Sequence, residues 1–585
     1  MKKQTFLLSL LGLFLLGCSS EDSIVDNEEN QPSGPVTRSF LSVNIVASSN
    51  AATRADGTYE DGVSKEGNVN AVRFFFFDEN GKAAPISKRN GTQVYQSYID
   101  WYPTASDSGS GDKNETVERV LKATLGISVP GESAEKEYPT QVLAILNPTS
   151  EILNLGTTAT STIGPDLEAL VTEVADFKTG LDNNNFVMSN SVYVVAGETS
   201  KPNVVVKTTS LAEENFAATA EEAEDNKVTI YVERVLARHD LSIRLEAVAG
   251  KEGVYKTKDS EYGLNGENSI ENKNIYVKFL GWNITCTPKE SRLVKDFSGD
   301  WAGNTFGLTN GPWNAANYHR SFWAINPTLS YQEDYQFCSY KEISLEIPKV
   351  GSITPYTTTY MQENAAESAT SAATAHPTQV IVKAQLVDEN EQPITIAKWA
   401  NRMYTLDGVK TAIANVLNLY KYVNGKYIKI VPDDVHFATW QQLYEGEEKE
   451  KDPNEGNYYV YAKVDENTTW YQKTGEEFKE FSSDDEVKTY VRDVVNHVMV
   501  WNEGQTYYYF DIMHLGEKAT EPGYYGVVRN HIYRSTIKTL AGLGTPVYDP
   551  DEEIIPEKPE DDTMLSAEIK ILQWRVVSNE YELNW

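Results

Sequence analysis

Seven histidines, three cysteines and 85 carboxylates are the groups in this 585-residue chain that could do chemistry. His239, His319, His376, His436, His497, His514 and His531 include no H-x-x-x-H pair, so there is no local zinc signature. Ser108-Gly109-Ser110-Gly111 lies in a polar loop without the strand and helix that a nucleophile elbow needs. No phosphate-cradling glycine loop and no dinucleotide fingerprint occur. The carboxylates are so many that none can be paired as acid and base, and most read as surface charge. Asp78-Glu79-Asn80-Gly81 starts like a calcium loop but lacks the later ligands, so a plain turn is expected. The runs Phe74–Phe77 and Tyr507–Phe510 could line a sugar-binding surface, yet strand core is the simpler reading. No catalytic residue, metal site or cofactor is expected, and the chain reads as a non-enzyme.

The chemistry that remains is done to the chain. Lys2 and Lys3 precede an apolar run, Phe6 to Leu16, which is too short for a permanent span and reads as a signal peptide. It ends in Leu15-Leu16-Gly17-Cys18, which resembles a bacterial lipobox with Cys18 as the lipidated residue. A leader with an incidental cysteine is the alternative. Glu21 to Pro35 is acidic and polar, as suits a tether leaving a membrane surface. Ser48 to Gly57 is small, polar and irregular, with Arg54 in its middle; loops of that make-up are where proteases cut.

The formal charge of −33 argues against a nucleic-acid partner, whose phosphates would repel the chain. Cys286 and Cys338 make no disulfide framework, and two free or buried thiols are favoured over a pair.

Strand patterns dominate the elements. Period-two or buried runs predict strands at 39–47, 71–77, 116–129, 140–146, 185–195, 203–207, 227–234, 241–247, 274–287, 336–347, 379–387, 458–464, 497–501, 506–512 and 530–540. Helical spacing is expected over Asp166–Gly180 and Gly408–Tyr420. The fold class is therefore mainly β, most simply two β-sandwich domains with small helical insertions. The expected organisation is a leader over 1–17, a propeptide over 18–54, sandwiches over 55–249 and 250–548, a linker over 549–563 and a final strand over 564–585.

That last stretch is the most informative. Asp549 to Asp562 carries eight acidic residues and three prolines, as a linker would. Behind it Leu565, Ala567, Ile569 and Ile571 share one side of a strand, and the apolar side then switches to Leu572, Trp574 and Val576, predicting a bulge or a second environment near Gln573. A strand this apolar needs cover, either from its own domain or from another subunit.

Val528 to Arg534, Ile537 through Gly544 and Pro546, the acidic tether, Ile569 to Trp574 and Tyr581-Glu582-Leu583 together resemble the C-terminal end of the Bacteroidales fimbrillins, closest to the shaft subunit of the minor fimbriae. Fainter likenesses run through 141–147, 186–190 and 232–243. The resemblance implies transthyretin-like sandwiches and export as an outer-membrane lipoprotein. It also implies cutting by an Arg-specific protease at Arg54-Ala55, with Arg38-Ser39 a rival site. The cut would remove a first strand containing Phe40, Leu41, Val43 and Ile45, and the C-terminal strand of another copy would fill the vacated groove. Implied partners are further copies of the chain, anchor and tip subunits and the protease, at the cell surface, in adhesion and biofilm. The rivals are a monomeric glycan-binding surface lipoprotein and a sandwich-fold glycan hydrolase.

Overall fold

The computed structural model describes residues 38–48, 64–89, 94–105, 108–110, 117–129, 137–155, 163–178, 181, 186–196, 203–256, 275–296, 326–327, 333–349, 355–364, 376–444, 458–514, 526–556 and 566–573. Within them the chain is mainly β.

The first sheet is built from β1 (Arg38–Ser48), β2 (Val72–Phe77), β3 (Tyr98–Trp101), β4 (Val117–Ser128), β5 (Gln141–Leu146), β6 (Met188–Asn190) and β7 (Val228–Arg234), with shorter pieces at its margins. Their order is β3-β2-β5-β6-β7-β1-β4, continued by Ser108–Ser110. The unbroken apolar runs of β2 and β5 are explained by burial on both faces. Phe74, Phe76, Val142 and Ala144 join one core, and Phe75, Phe77, Leu143 and Ile145 join another on the far side. The Phe74–Phe77 run is thus strand core.

A second set of strands follows: β8 (Leu236–Ile243), β9 (Tyr276–Thr285), β10 (Thr357–Gln362), β11 (Gln379–Val387), β12 (Leu419–Val423), β13 (Lys426–Lys429), β14 (Trp470–Thr474), β15 (Glu477–Glu480), β16 (Gln505–Asp511), β17 (His531–Thr539) and β18 (Ser566–Gln573). One sheet runs β10-β8-β17-β18; another has β9-β11-β16 at its centre. Tyr508 and Phe510 of β16 face the large core between these sheets, and Tyr507 packs into a smaller core opposite, so this aromatic run is interior as well. Only Val235 separates β7 from β8, and the strand partners change there, upstream of the polar 250–273 stretch.

The turn after β2 recurs after β11. Asp78 Oδ1 accepts from the backbone N–H groups of Asn80 and Lys82, and Asp388 Oδ1 accepts from those of Asn390 and Gln392. Asp78 therefore caps a turn, as expected.

Several expectations are corrected. The helix expected over 166–180 is α1 (Leu167–Thr172) only. Thr172 turns its hydroxyl back onto the Glu168 and Ala169 carbonyls, and Val174–Ala175 then pairs with Ser291–Arg292 as a strand. Leu170, Val171 and Phe177 are buried all the same. The second helix is α2 (Leu406–Val416), because Leu419 and Tyr420 already belong to β12. A third, α3 (Asp484–Val495), was not anticipated; Ser483 caps it. The strand expected at 336–347 is two short bridging pieces, Tyr335–Gln336 and Cys338–Ser339. Between β11 and β16 an inserted body has its own core, in which Val409 and Ile413 of α2 and Val487 and Val491 of α3 meet Val460 and Val500.

The acidic linker is docked over its first half. Glu553–Ile554 pairs with Cys338–Ser339, Glu552 accepts from Thr439, and Ile554 is buried. Cys286 and Cys338 are free thiols, and burial pushes both up to about 12.

Candidate functional site

β1 occupies the interior of its sheet. It runs antiparallel to β4 from Arg38↔Ser128 to Ala47↔Arg119, and parallel to β7 from Val43↔Val228 to Ala47↔Val232. Its N-terminal half also meets Phe216–Ala217. Leu41, Val43 and Ile45 alternate toward the core, at most 1% exposed, against Leu121, Ala123 and Leu125 of β4 and Val228, Ile230 and Val232 of β7. Phe40, on the opposite side, is half-buried. Burying three such side chains stabilises by roughly 5 to 9 kcal/mol before ordering costs. A second strand could enter this slot only if β1 left it.

β1 is joined to the elements that follow it through the interval between Ser48, its end, and Ser64, where the next described element begins. Arg54 and Ala55 fall in that interval, outside the described residues, and Cys18, which precedes β1, lies outside them too. Arg38, the rival cleavage position, is itself the first ladder residue of β1.

β18 is held differently. It lies at the margin of its sheet and pairs antiparallel with β17, from His531↔Gln573 to Thr539↔Ser566. Along the described residues the register shifts only between Ile537 and Thr539, and Ala567, Ile569, Ile571 and Leu572 lie on an unbroken register as far as Gln573. Leu565, Trp574 and Val576 lie outside the described residues. Thus β1 is gripped on both sides and β18, among the described residues, on one.

The residues that carried the strongest sequence likeness do not line the slot. They fasten the junction between the first two sheets. Arg529 is fully buried; its Nε donates to Glu363 and its terminal nitrogens to the carbonyls of Leu293 and Arg292. Lys295 and Glu233 form a second buried pair at 3.2 Å beside them. Burial holds the Lys295 ammonium below its usual pKa, with Glu233 opposing. Asn530 adopts φ +56 and donates its N–H to the Leu236 carbonyl, and its side chain accepts from Arg234. His531 Nδ1 donates to the Arg529 carbonyl. Asn147 and Asn190, from the fainter motifs, pin backbone: Asn147 donates to Phe186 and Asn68, and Asn190 accepts from the Ala144 N–H.

Sequence reasoning missed a neighbouring network. Glu66 accepts from Arg238 at 3.2 Å and from the Tyr360 hydroxyl at 2.6 Å, while Asp240 accepts from Arg238, Arg534 and Thr358. Glu66 and Asp240 are both fully buried. Among the described residues no group of three His, Cys, Asp or Glu could hold a metal, and no helix is long and apolar enough to cross a membrane.

A mainly β chain with an interior first strand and a marginal last strand is the class that these observations define. Residues 499–580, which include β16, β17 and β18, match the family described as major fimbrial subunit protein type IV, fimbrillin, C-terminal. The fimbrillin resemblance read from Val528 to Pro546 therefore holds as a family match over that region. Similar solved structures include a fimbrilin from Porphyromonas gingivalis W83, at 11% identity and TM-score 0.33, covering 92% of this chain and 98% of that one. A candidate cell adhesion protein from Parabacteroides distasonis ATCC 8503 is similar at 14% identity and TM-score 0.37, covering 91% and 96%. The tip fimbrial protein of Porphyromonas gingivalis, with its C-terminus truncated, follows at 12% and 0.31, covering 92% and 100%. No curated protein matches the sequence.

Proposed function

We propose that this chain is the shaft subunit of a fimbria, made as a lipoprotein precursor anchored through Cys18 to the outer membrane. An Arg-specific protease cuts it at Arg54-Ala55, and it polymerises when the C-terminal strand of one copy fills the slot that β1 leaves in the next. The family match over residues 499–580 supports a fimbrial subunit at the cell surface. The exchange reading rests on one observation: β1 is a two-sided interior strand joined to its sheet through the interval that contains Arg54, while β18 is held along one side.

The physical drive is the difference between those two seats. On its own body β18 makes one ladder, whereas in the vacated slot it would make two, and each added backbone hydrogen bond contributes about 0.5 to 1.5 kcal/mol net. Arg38 is a poor cleavage position, since a paired ladder residue must be stripped from its sheet to enter a protease cleft and a cut there would leave the strand seated. A contact between unlike surfaces need not close on itself, so it propagates from copy to copy. A subunit with both parts suits a shaft, between an anchor that keeps its lipid and a tip that needs one part. Adhesion and biofilm support follow from the surface polymer.

Trimming the purified precursor with an Arg-specific protease tests this. Ladders that survive SDS without heating are expected, together with loss of the segment before Ala55; none should form from Arg54→Gln or from a chain lacking 564–585. Trimmed protein that stays monomeric, or ladders that persist without the tail, would overturn the proposal.

A further inference from the structure

We infer that the outer face of the β13-β12-β14-β15 sheet, in the inserted body, binds an anionic saccharide. Ten large apolar side chains are well exposed among the described residues, and Val416, Tyr422, Val423, Tyr427, Ile428 and Val431 concentrate in one hairpin and its flanks. By strand register Lys429 and Lys473 share the ring face with a single acid, Glu480 opposite Tyr471, while Lys421, paired with Asp434, and Lys426 lie on the other face, in a chain whose net charge is −33. An apolar patch this concentrated, flanked by lysines on an acidic molecule, marks a contact surface.

The strand register sorts the side chains onto faces, since residues directly opposite point the same way. Leu419 and Trp470 turn inward to the core of the inserted body. Tyr422 opposite Tyr427, Tyr420 opposite Tyr471, and Phe478 opposite Lys473 lie on the other face. Tyr427 stacks on Phe478 at 4.0 Å and 3°, Tyr471 meets Tyr427 edge-on at 5.1 Å, and Tyr422 leans on Tyr427 at 4.8 Å. These five rings belong to none of the buried cores among the described residues. The inner rings therefore hold the outer two, Tyr422 at 54% and Tyr427 at 40% exposure, in fixed orientations before any ligand arrives.

Rigid tyrosines offer a flat apolar face with a polar rim, which suits the C–H face and hydroxyl edge of a pyranose. Lys473, whose ammonium lies 5.6 Å from the Phe478 ring centre, places one cation beside the rings, and Lys429, opposite Tyr420, adds a second on the same face, where it donates to the Asn415 carbonyl. They select a carboxylated or sulfated sugar over a neutral one. An acidic peptide would use the lysines and leave the ring geometry unexplained. The inference does not depend on strand exchange, because the face is complete in a single uncleaved chain.

Binding of the intact full-length chain to immobilised heparin, hyaluronan, dextran and polyglutamate tests it. The expected result is binding to heparin or hyaluronan, the two arms separating sulfate from carboxylate recognition, with dextran unbound. Tyr422→Ser combined with Tyr427→Ser should weaken that binding at least 10-fold with the melting temperature unchanged, and Lys473→Gln should weaken it several-fold and flatten its salt dependence. Absence of binding to both polysaccharides, binding indifferent to the tyrosine changes, or polyglutamate bound as tightly without them would each overturn the inference.

Discussion

Arg529 donates from Nε to Glu363 Oε2 at 2.6 Å, with the two side chains 0% and 2% exposed. Two backbone carbonyls, of Leu293 and Arg292, accept from its terminal nitrogens, so the guanidinium ties β17's approach to a segment that itself pairs with Val174–Ala175. Removing one partner of such a pair strands a buried charge, which costs about 3 to 5 kcal/mol. Arg529→Ala should therefore destabilise the chain on that scale. Glu363→Gln should cost less, because the two carbonyls remain. Calorimetric unfolding decides it, and a loss under about 1 kcal/mol for Arg529→Ala would refute the assignment.

Gly544 gives a second prediction. Its φ is +72, and a Cβ there would come within 2.4 Å of Thr506 Oγ1, 2.8 Å of the Tyr507 carbonyl and 2.9 Å of the Tyr508 ring. Thr506 Oγ1 donates at this crossing, to the carbonyls of Leu543 and Thr545, so it has little freedom to retreat. Gly544→Ala should cost at least about 2 kcal/mol through strain plus displaced backbone. Gly425→Ala, at a hairpin tip with φ +80 and open space around it, isolates the strain alone and should cost about 1 kcal/mol. Equal losses in the two variants, by chemical denaturation, would show that crowding at Gly544 is unimportant.

What could be read beforehand divides along physical lines. β1, β2, β11, β16 and β17 were legible because period-two alternation and unbroken apolar runs are local signals. The helix over 166–180 was overcalled because Val174 and Ala175 are claimed by Ser291 and Arg292, more than a hundred residues away, and no local pattern reports that pairing. Glu66, Glu363 and Glu233 look like the rest of the 85 acids; what lets them be buried is an arginine or lysine supplied from a segment remote in sequence. Likewise the acidic stretch after Tyr548 looked like a free tether, and its docking depends on Thr439, Gln442 and Lys341, all remote in sequence. At the candidate site the strand residues were legible, while the contrast between a two-sided β1 and a one-sided β18 is a property of sheet order alone.

His239 should make the chain sensitive to acid. Its ring is fully buried, with Nε2 2.9 Å from the Ser535 hydroxyl and the Trp282 ring 5.5 Å away; the carboxylate of Asp240 is its sequence neighbour. Burial lowers its pKa to about 3 against that carboxylate's pull, from 6.5 in the unfolded chain. The folded state thus needs the neutral ring, and its contribution is whole above about 6.5 and is lost as pH falls toward about 3. Within that window one extra proton binds on unfolding, giving a slope approaching about 1.4 kcal/mol per pH unit. His239→Gln keeps a hydrogen-bonding side chain without the titration and should flatten the dependence by about that slope. Parallel stability profiles for the two proteins between pH 7 and 4 would dismiss His239 as the cause.

Val43 separates the fate of β1 from the stability of the slot around it. It sits at 0% exposure, opposite Ala123 of β4 and Val228 of β7. An aspartate there buries an unpaired charge in the precursor, so Val43→Asp should lower the first sheet's stability by several kcal/mol, on the order of 3 or more. If β1 is discarded on cleavage, the polymer grown from Val43→Asp precursor contains no trace of the substitution and should melt with the native polymer. Ile230→Asp, in the β7 wall that any occupant of the slot must face, should damage precursor and polymer alike. Hydrogen exchange on β7 amides, read in precursor and in polymer, distinguishes the cases. A Val43→Asp polymer that exchanges faster than the native one at Val228 to Val232 would mean that the first strand stays in its seat.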